Sequence, residues 1–200
     1  MVTTVAERVR DAQEEAVISP QTFAHIVLRT SRFEELVAWY KFALGAHASF
    51  ENEMLAFLTY DHEHHRVAVL NAPGLAEQSP GAAGVHHFAF TYASMSDLLK
   101  TYERLKARGV KPILCINHGP TTSIYYADPD NNQIEFQIEN FGSEREAKAF
   151  FASEAFAVNP IGVDFDPDEL HRRLKAGEDE ASLKVRPDIG PRGLDGVPLR

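Results

Sequence analysis

The stretch FAHIVL, residues 23–28, decides the fold because a matching stretch, HHFAF, occurs at residues 86–90. Both are apolar runs interrupted by histidine, and short apolar runs of this kind are typical of buried strands. Aligning His25 with His87, an offset of 62 positions, also aligns the elements that surround them. A repeat of one supersecondary unit is therefore the first feature that the fold must explain.

Each unit is predicted to have the order strand, helix and three strands. In the first unit a strand over 22–28 precedes a helix that begins at a capping box of Ser31 and Glu34 and ends at Gly45. In the second unit Ser94 caps the corresponding helix. The other predicted strands are Ala46–Phe50, Leu55–Tyr60, Arg66–Leu70, Val85–Tyr92, Lys111–Asn117, Ser123–Ala127 and Ile134–Ile138. We therefore predict an α+β fold in which two tandem βαβββ modules enclose a cleft.

Three parts are predicted along the chain. Residues 1–20 form an N-terminal helical extension, 21–141 form the domain, with modules 21–71 and 84–141, and 142–200 form a C-terminal helix and tail. The tail is expected to pack over the domain or over a neighbouring subunit, with a lid over the site as the alternative. Both extensions suggest subunit contacts, so we expect a homo-oligomer. Helices are predicted over residues 3–16, Ser143–Phe156 and Asp168–Lys175.

Composition excludes several classes of function. With 20 Lys and Arg against 29 Asp and Glu, the net charge of -9 argues against nucleic acid or an anionic membrane as partner. The single cysteine, Cys115, lies in an apolar strand and excludes an intramolecular disulfide or a thiolate cluster. The N-terminus has no apolar core of a signal peptide, and no stretch reaches the roughly 18 apolar residues of a membrane span. We therefore expect a cytoplasmic protein.

Three residues are predicted to hold a metal ion. A lone histidine in an apolar strand is usually a core residue, but the repeat brings His25 and His87 to the same cleft. Glu135 lies among apolar residues in QIEFQI, where an unpaired carboxylate is costly to bury, although a solvated strand face would also explain it. Two imidazoles and one carboxylate form a facial triad that leaves three positions of Fe(II) open.

The motifs HIVL, HFAF and YYADPDNNQIE resemble the vicinal oxygen chelate superfamily over roughly residues 20–140. This superfamily includes extradiol ring-cleaving dioxygenases, glyoxalases, and bleomycin- and fosfomycin-resistance proteins. The resemblance implies a metal site at His25, His87 and Glu135. For the extradiol members it implies Fe(II), with Mn(II) as the alternative ion, and a small aromatic diol and O2 as substrates.

The fourth corner of the site separates the members of this superfamily. In glyoxalase-like members a carboxylate typically occupies that corner. Aligning the last strands of the two units, RVAVL and QIEFQ, places Ala68 opposite Glu135. Because alanine cannot bind a metal, the chain is most similar to the one-domain type I extradiol dioxygenases.

Three further residues match positions of the extradiol enzymes. His65 resembles the histidine that acts as acid and base beside the oxygen site, although a polar hairpin turn would also explain it. Tyr125, ten residues before Glu135, resembles the active-site tyrosine, with a core aromatic residue as the alternative. His118 resembles the histidine that binds the substrate hydroxylate, but its spacing from Tyr125 departs from the family pattern.

Two other histidines are not assigned to the site. His86 precedes His87 and faces the opposite side of the strand, so we interpret it as structural, and we expect His171 at the surface.

Extradiol cleavage of a catechol-type substrate is the function that this pattern favours. Two alternatives stay open. A metal-dependent isomerase, lyase or epimerase would need a fourth carboxylate, which Glu51 or Glu63 would have to supply. A resistance-type binding protein without a metal would not need three ligand-type residues directed at one point.

Overall fold

The structure is a computed structural model that describes residues 18–79 and 82–198. The helix predicted over residues 3–16 lies outside this part. The first unit consists of β1 (Ile26–Thr30), α1 (Phe33–Leu44), β2 (His47–Glu51), β3 (Leu55–Thr59) and β4 (Val67–Asn71). The second consists of β5 (His87–Thr91), α2 (Met95–Lys106), β6 (Leu114–Asn117), β7 (Thr121–Ala127) and β8 (Gln133–Glu139). The C-terminal region adds α3 (Glu144–Phe151), α4 (Glu154–Val158), β9 (Val163–Asp164), α5 (Pro167–Lys175) and α6 (Glu180–Lys184).

Two sheets with the same internal order confirm the predicted α+β repeat. Their strand orders are β1-β4-β3-β2 and β5-β8-β7-β6-β9. In each unit the first strand pairs in parallel with the last, and the remaining strands pair antiparallel. The short strand β9 extends the second sheet by pairing with β6. The first strand of each unit therefore lies at a sheet edge, next to the last strand of its own unit.

The two long helices pack equivalent side chains into the core. Leu36 and Tyr40 of α1 are buried, as are their counterparts at the offset of 62, Leu98 and Tyr102 of α2. Leu and Tyr spaced four residues apart face the same side of a helix, so each unit covers its sheet in the same way. One continuous hydrophobic core includes residues of both units.

The helix ends match the predictions in part. Gly45 ends α1 in the left-handed conformation, and the hydroxyl of Ser94 accepts the backbone N–H of Asp97 at the start of α2. The predicted capping box at Ser31 is wrong. The N-cap of α1 is Arg32, whose backbone N–H donates to the hydroxyl of Thr30 at 2.8 Å. The Thr30 side chain, on the preceding strand, therefore accepts the hydrogen bond at the start of this helix.

Two predictions about the C-terminal region need correction. The helix predicted over Ser143–Phe156 is two helices, because Ser153 adopts an extended conformation and caps α4 by accepting the N–H of Phe156. His171 was expected at the surface but is 8% exposed, and its Nδ1 lies 2.7 Å from Glu103. Helix α5 thus packs against α2. Within the described residues, no helix is long and apolar enough to cross a membrane.

A buried hydrogen bond joins the two units. The hydroxyl of Tyr40 on α1 donates to Asp128, in the turn between β7 and β8, at 2.9 Å. Asp128 also accepts the backbone N–H groups of Asp130 and Asn132 and the side-chain amide of Asn132. Burial raises the pKa of Asp128 despite these donors. The DPDNN motif therefore folds its turn around one carboxylate and anchors the turn to the opposite unit.

Replacing Tyr40 by Phe tests this link. The change keeps the ring but leaves a buried acceptor with one donor fewer, so we expect the free energy of unfolding to fall by about 1–3 kcal/mol. Urea denaturation would measure it. The control is Tyr60→Phe, at a half-exposed ring edge-on to Phe90, where a change within about 0.5 kcal/mol is expected. Equal losses in both variants would contradict a specific role for the Tyr40 bond.

Candidate functional site

The parallel pairing of β5 with β8 brings His87 and Glu135 together. In this register His87 pairs with Gln133 and Ala89 with Glu135. Residues two apart on a strand face the same side, so His87 and Glu135 lie on one face of the sheet. Nε2 of His87 is 3.1 Å from Oε2 of Glu135. Two of the three predicted metal ligands are therefore in direct contact.

Glu135 is a buried carboxylate with several donors around it. Its side chain is 6% exposed, and burial by itself raises the pKa of the carboxyl. Hydrogen bonds from His87, Ser123 and Tyr125 outweigh that effect and lower the pKa below its ordinary value. Glu135 is consequently anionic at neutral pH. A buried anion beside an imidazole is a donor pair suited to a divalent cation.

Tyr125 lies directly opposite Glu135 in the antiparallel pairing of β7 with β8. Burial, together with the charge of Glu135 and the hydrogen bond to it, raises the pKa of the Tyr125 phenol far above its ordinary value. The ring also meets His87 edge-on, with 5.3 Å between centroids. Tyr125 is thus a neutral hydroxyl, held as a hydrogen-bond donor next to both predicted ligands.

His118 follows the end of β6 and completes this cluster. Its Nε2 lies 3.0 Å from the Tyr125 hydroxyl, and its Nδ1 is hydrogen bonded to the carbonyl of Ile161. Burial lowers the pKa of His118, although the Ile161 carbonyl and Glu135 act in the opposite direction. The departure in spacing from Tyr125 therefore does not prevent contact. Four predicted site residues, His87, Glu135, Tyr125 and His118, form one connected group.

His25 and His65 form a second group on the first unit. Their ring centroids are 4.2 Å apart, and His65 also stacks on Phe57, with 4.4 Å between centroids. His65 is 7% exposed, so it is buried although it lies in the connection between β3 and β4. Burial, followed by the neighbouring His25 and His64, lowers the pKa of His65. His65 is a neutral imidazole held between two rings.

Residues at the start of β1 and in β5 line a common cavity. A small cavity of about 130 Å³ is lined by Phe23 and Ile26 together with Phe88 and Phe90. Within residues 18–79 and 82–198, however, no three His, Cys, Asp or Glu side chains are arranged to hold a metal ion. The donor types fit a metal and two ligands are in contact, while the triad with His25 stays a prediction.

The register of the first unit supports the prediction for the fourth corner. Val27 pairs with Ala68 as Ala89 pairs with Glu135, so Ala68 occupies the position equivalent to Glu135. Ala68 is 1% exposed. The two acids considered as a fourth ligand have other partners, since Glu51 binds Lys41 and Glu63 contacts His64.

Two contacts of the site were not predicted from the sequence. Ser123 lies two residues before Tyr125 on the same strand face, and strand alternation would have placed it beside Glu135. His86, interpreted as structural, has its Nδ1 2.7 Å from Nδ1 of His87 and its Nε2 3.0 Å from the carbonyl of Pro198. No local pattern could have indicated a contact across 112 positions.

Cys115 does not contribute a nucleophile. It lies in β6 and packs against the hydrophobic core, as the sequence predicted. Burial, with smaller effects from nearby aspartates, raises the pKa of its thiol to about 12. The thiolate form that nucleophilic catalysis requires is therefore negligible at neutral pH.

Replacing Ser123 by Ala tests the charge of Glu135 in protein freed of metal. Because folding lowers the pKa of Glu135, its ionised form stabilises the fold at neutral pH, and this stabilisation is lost as the pH falls. Removing one donor should cost about 1–3 kcal/mol of unfolding free energy at pH 7 and less below the ordinary glutamate pKa of about 4.3. Ser153→Ala, which removes a cap with uncharged partners, should cost the same at both pH values. A pH-independent cost for Ser123→Ala would contradict the assignment.

Comparison with known proteins agrees with this architecture. Residues 22–136 match the family model of the Glyoxalase/Bleomycin resistance protein/Dioxygenase superfamily. The chain is 50% identical over 156 residues to biphenyl-2,3-diol 1,2-dioxygenase 2 of Rhodococcus globerulus, covering 78% of this chain and 82% of that protein. It is 41% identical over 165 residues to biphenyl-2,3-diol 1,2-dioxygenase 3 of the same organism, with 82% and 87% covered. A glyoxylase/bleomycin resistance protein/dioxygenase domain from Frankia sp. EAN1pec has the same fold at 18% identity, with a TM-score of 0.52 over 64% of this chain and 99% of that one. The chain therefore belongs to the glyoxalase/bleomycin resistance protein/dioxygenase superfamily.

Proposed function

We propose that the protein is an extradiol dioxygenase that cleaves the ring of a catechol-type substrate with O2. The observation that carries this proposal is the similarity, over most of both chains, to two proteins named biphenyl-2,3-diol 1,2-dioxygenases. The connected group of His87, Glu135, Tyr125 and His118 supports it, because it places polar side chains of different chemistry on one sheet face. Biphenyl-2,3-diol is accordingly the first substrate to test.

His25, His87 and Glu135 are the residues proposed to hold Fe(II), with Mn(II) as the alternative ion. The contact between His87 and the ionised, buried Glu135 supports two of these assignments. The position of His25, matched to His87 by the repeat, supports the third. When bound, Fe(II) would act as a Lewis acid for the two vicinal oxygens of the diol and as the electron conduit to O2.

Tyr125 and His118 would orient one hydroxyl of the diol. Tyr125 stays protonated at neutral pH and so can donate a hydrogen bond to a substrate oxygen that carries negative charge. His118 is neutral, and its Nε2 lies on the Tyr125 side of the ring. It can therefore accept a proton in the same place where Tyr125 donates. Together they would stabilise the ionised form of the bound diol.

His65, which lies outside the group that contains Tyr125 and His118, would act as acid and base. Its lowered pKa means that the imidazole ring begins neutral, so it would first accept a proton from a hydroxyl of the diol. The imidazolium that results can then return the proton as the aromatic ring of the diol opens, which regenerates neutral His65. Stacking on Phe57 and contact with His25 hold the ring in one orientation through both steps.

Ala68 supports a dioxygenase over an isomerase or lyase of the glyoxalase type. The methyl group at this buried corner supplies no metal ligand, and Glu51 and Glu63 contact Lys41 and His64. A three-ligand site keeps enough open positions for both a chelating diol and O2. A binding protein without a metal would have no use for an ionised Glu135 buried beside His87.

Anaerobic reconstitution tests the proposal. The protein is loaded with Fe(II), mixed with biphenyl-2,3-diol and exposed to oxygen, while oxygen uptake and the absorbance of the ring-opened product are followed. We expect equimolar uptake and product. Glu135→Gln, which keeps the size but removes the charge of the ligand, should lose iron in metal analysis. Intact iron binding without oxygen uptake, with biphenyl-2,3-diol and with simple catechols, would refute the dioxygenase assignment.

Substitution of His65 separates its chemical role from its position in a histidine-rich connection. His65→Ala should retain iron and lose about 10²–10⁴-fold in kcat, the usual contribution of general acid–base catalysis. The matched control is His62→Ala in the same connection, because His62 is exposed, and its kcat should be unchanged. Metal content and oxygen uptake are measured on both variants. Normal turnover of His65→Ala would assign proton transfer to another group.

A further inference from the structure

The C-terminal strap, defined as residues 185–198, contacts the site at two places. Near its start the guanidinium of Arg186 binds the carbonyl of His118. At its end the carbonyl of Pro198 faces Nε2 of His86 and accepts the side-chain amide of Gln133. The strap lies outside residues 22–136, which match the family model. A segment beyond the shared domain thus touches the neighbours of His87 and the backbone of His118.

Arg186 donates hydrogen bonds to backbone carbonyls in two separate parts of the chain. One terminal nitrogen donates to the carbonyls of Asn159 at 2.7 Å and His118 at 3.3 Å, and the other donates to Ala155 at 2.9 Å. The guanidinium lies over the ring of Phe150, 5.0 Å from its centroid. The rigid fork of arginine suits several acceptors at once, so Arg186 joins the chain at His118 to the loop after α4.

The loop over residues 159–162 fits closely against His118. Buried Asn159 organises it by accepting the N–H of Gly162 at 2.7 Å and donating to the Gly162 carbonyl at 3.1 Å. Gly162 has φ 120°, and a Cβ there would lie 2.8 Å from Cα of His118 and 2.4 Å from the carbonyl oxygen of Asn117. Only glycine permits this approach. This close approach brings the Ile161 carbonyl into a hydrogen bond with Nδ1 of His118.

The Ile161 carbonyl determines which ring nitrogen of His118 carries the proton. A carbonyl only accepts, so Nδ1 must donate to it, and in the neutral ring Nε2 is then an acceptor. That acceptor lies 3.0 Å from the hydroxyl of Tyr125, whose single proton is donated either to Nε2 or to Glu135 at any one time. If the loop moved away, the tautomer with Nε2 protonated would become available, and His118 could no longer accept a proton on the side of the site.

We propose that Arg186 is a positioning residue that keeps His118 in the Nδ1–H tautomer by holding the 159–162 loop against it. The proposal rests on the proposed function, because it makes His118 a proton acceptor for the bound diol. Arg186 touches neither the predicted metal ligands nor Tyr125, and it acts through the backbone of His118 and Asn159. A conservative change that keeps the positive charge should therefore still impair it, since lysine cannot bind three separate carbonyls.

The test is a long-range ¹H–¹⁵N correlation spectrum of the histidine rings in the full chain, prepared without iron so that no paramagnetic ion broadens the signals. His118 is assigned by its absence in His118→Gln. We expect a protonated Nδ1 and an unprotonated Nε2 in the unsubstituted protein. In Arg186→Lys we expect the ¹⁵N chemical shifts of both nitrogens to move towards the values averaged over the two tautomers. Arg173→Lys, in an exposed ion pair with Glu178, is the control and should retain the original shifts.

Kinetics provide the second readout. With biphenyl-2,3-diol, Arg186→Lys should lower kcat about 10-fold or more with a smaller change in KM, because a misplaced base affects the reaction more than binding. Unchanged ¹⁵N shifts in Arg186→Lys would overturn the proposal, whether or not kcat falls. If the Arg186→Lys variant does not fold, Arg186→Gln provides the same test. Failure of the dioxygenase assignment would appear instead as no turnover by the unsubstituted protein, which leaves the tautomer measurement decisive for Arg186.

Discussion

The parallel pairing of β5 with β8 is the constraint on which the site depends. Its register places His87 and Glu135 on one face and in contact, and the antiparallel pairing of β7 adds Tyr125 opposite Glu135. Burying an ionised carboxylate is costly unless donors surround it, so this arrangement makes His87, Ser123 and Tyr125 necessary partners of Glu135. A shift of one residue in this register would turn Glu135 into the core and leave those donors without an acceptor.

The two units of the repeat supply different groups to the site. Both have a histidine at or directly before the first residue of the first strand, but the corner filled by Glu135 in the second unit is filled by Ala68 in the first. The first unit supplies a stacked, neutral imidazole at His65 instead. One unit thus carries the anionic and hydroxyl groups, and the other carries an uncharged base. Such a division suits a reaction in which a metal and a proton acceptor act on different atoms of the substrate.

Periodicity and the internal repeat were sufficient to predict the element order, the helix ends at Gly45 and Ser94, and the correspondence of Ala68 with Glu135. These features depend on local pattern or on the comparison of two similar stretches. The capping box at Ser31 failed because a hydroxyl on the preceding strand met the same helix start. Contacts of the C-terminal region, such as Pro198 with His86, join distant positions and depend on how the chain returns to the domain. Sequence patterns contain no signal for them.

The C-terminal region changes how the site should be understood. His87, Ser123 and Tyr125 surround Glu135 from the sheet alone, but His118 lies on a turn beyond β6, where strand pairing does not fix the ring. Its orientation comes from the Ile161 carbonyl, and that loop is bound by Asn159 and Arg186. Backbone carbonyls are well suited to this task because they have no proton to lose and so accept from Nδ1 whenever the ring is neutral. A segment outside the shared domain can therefore set the chemistry of a residue within it.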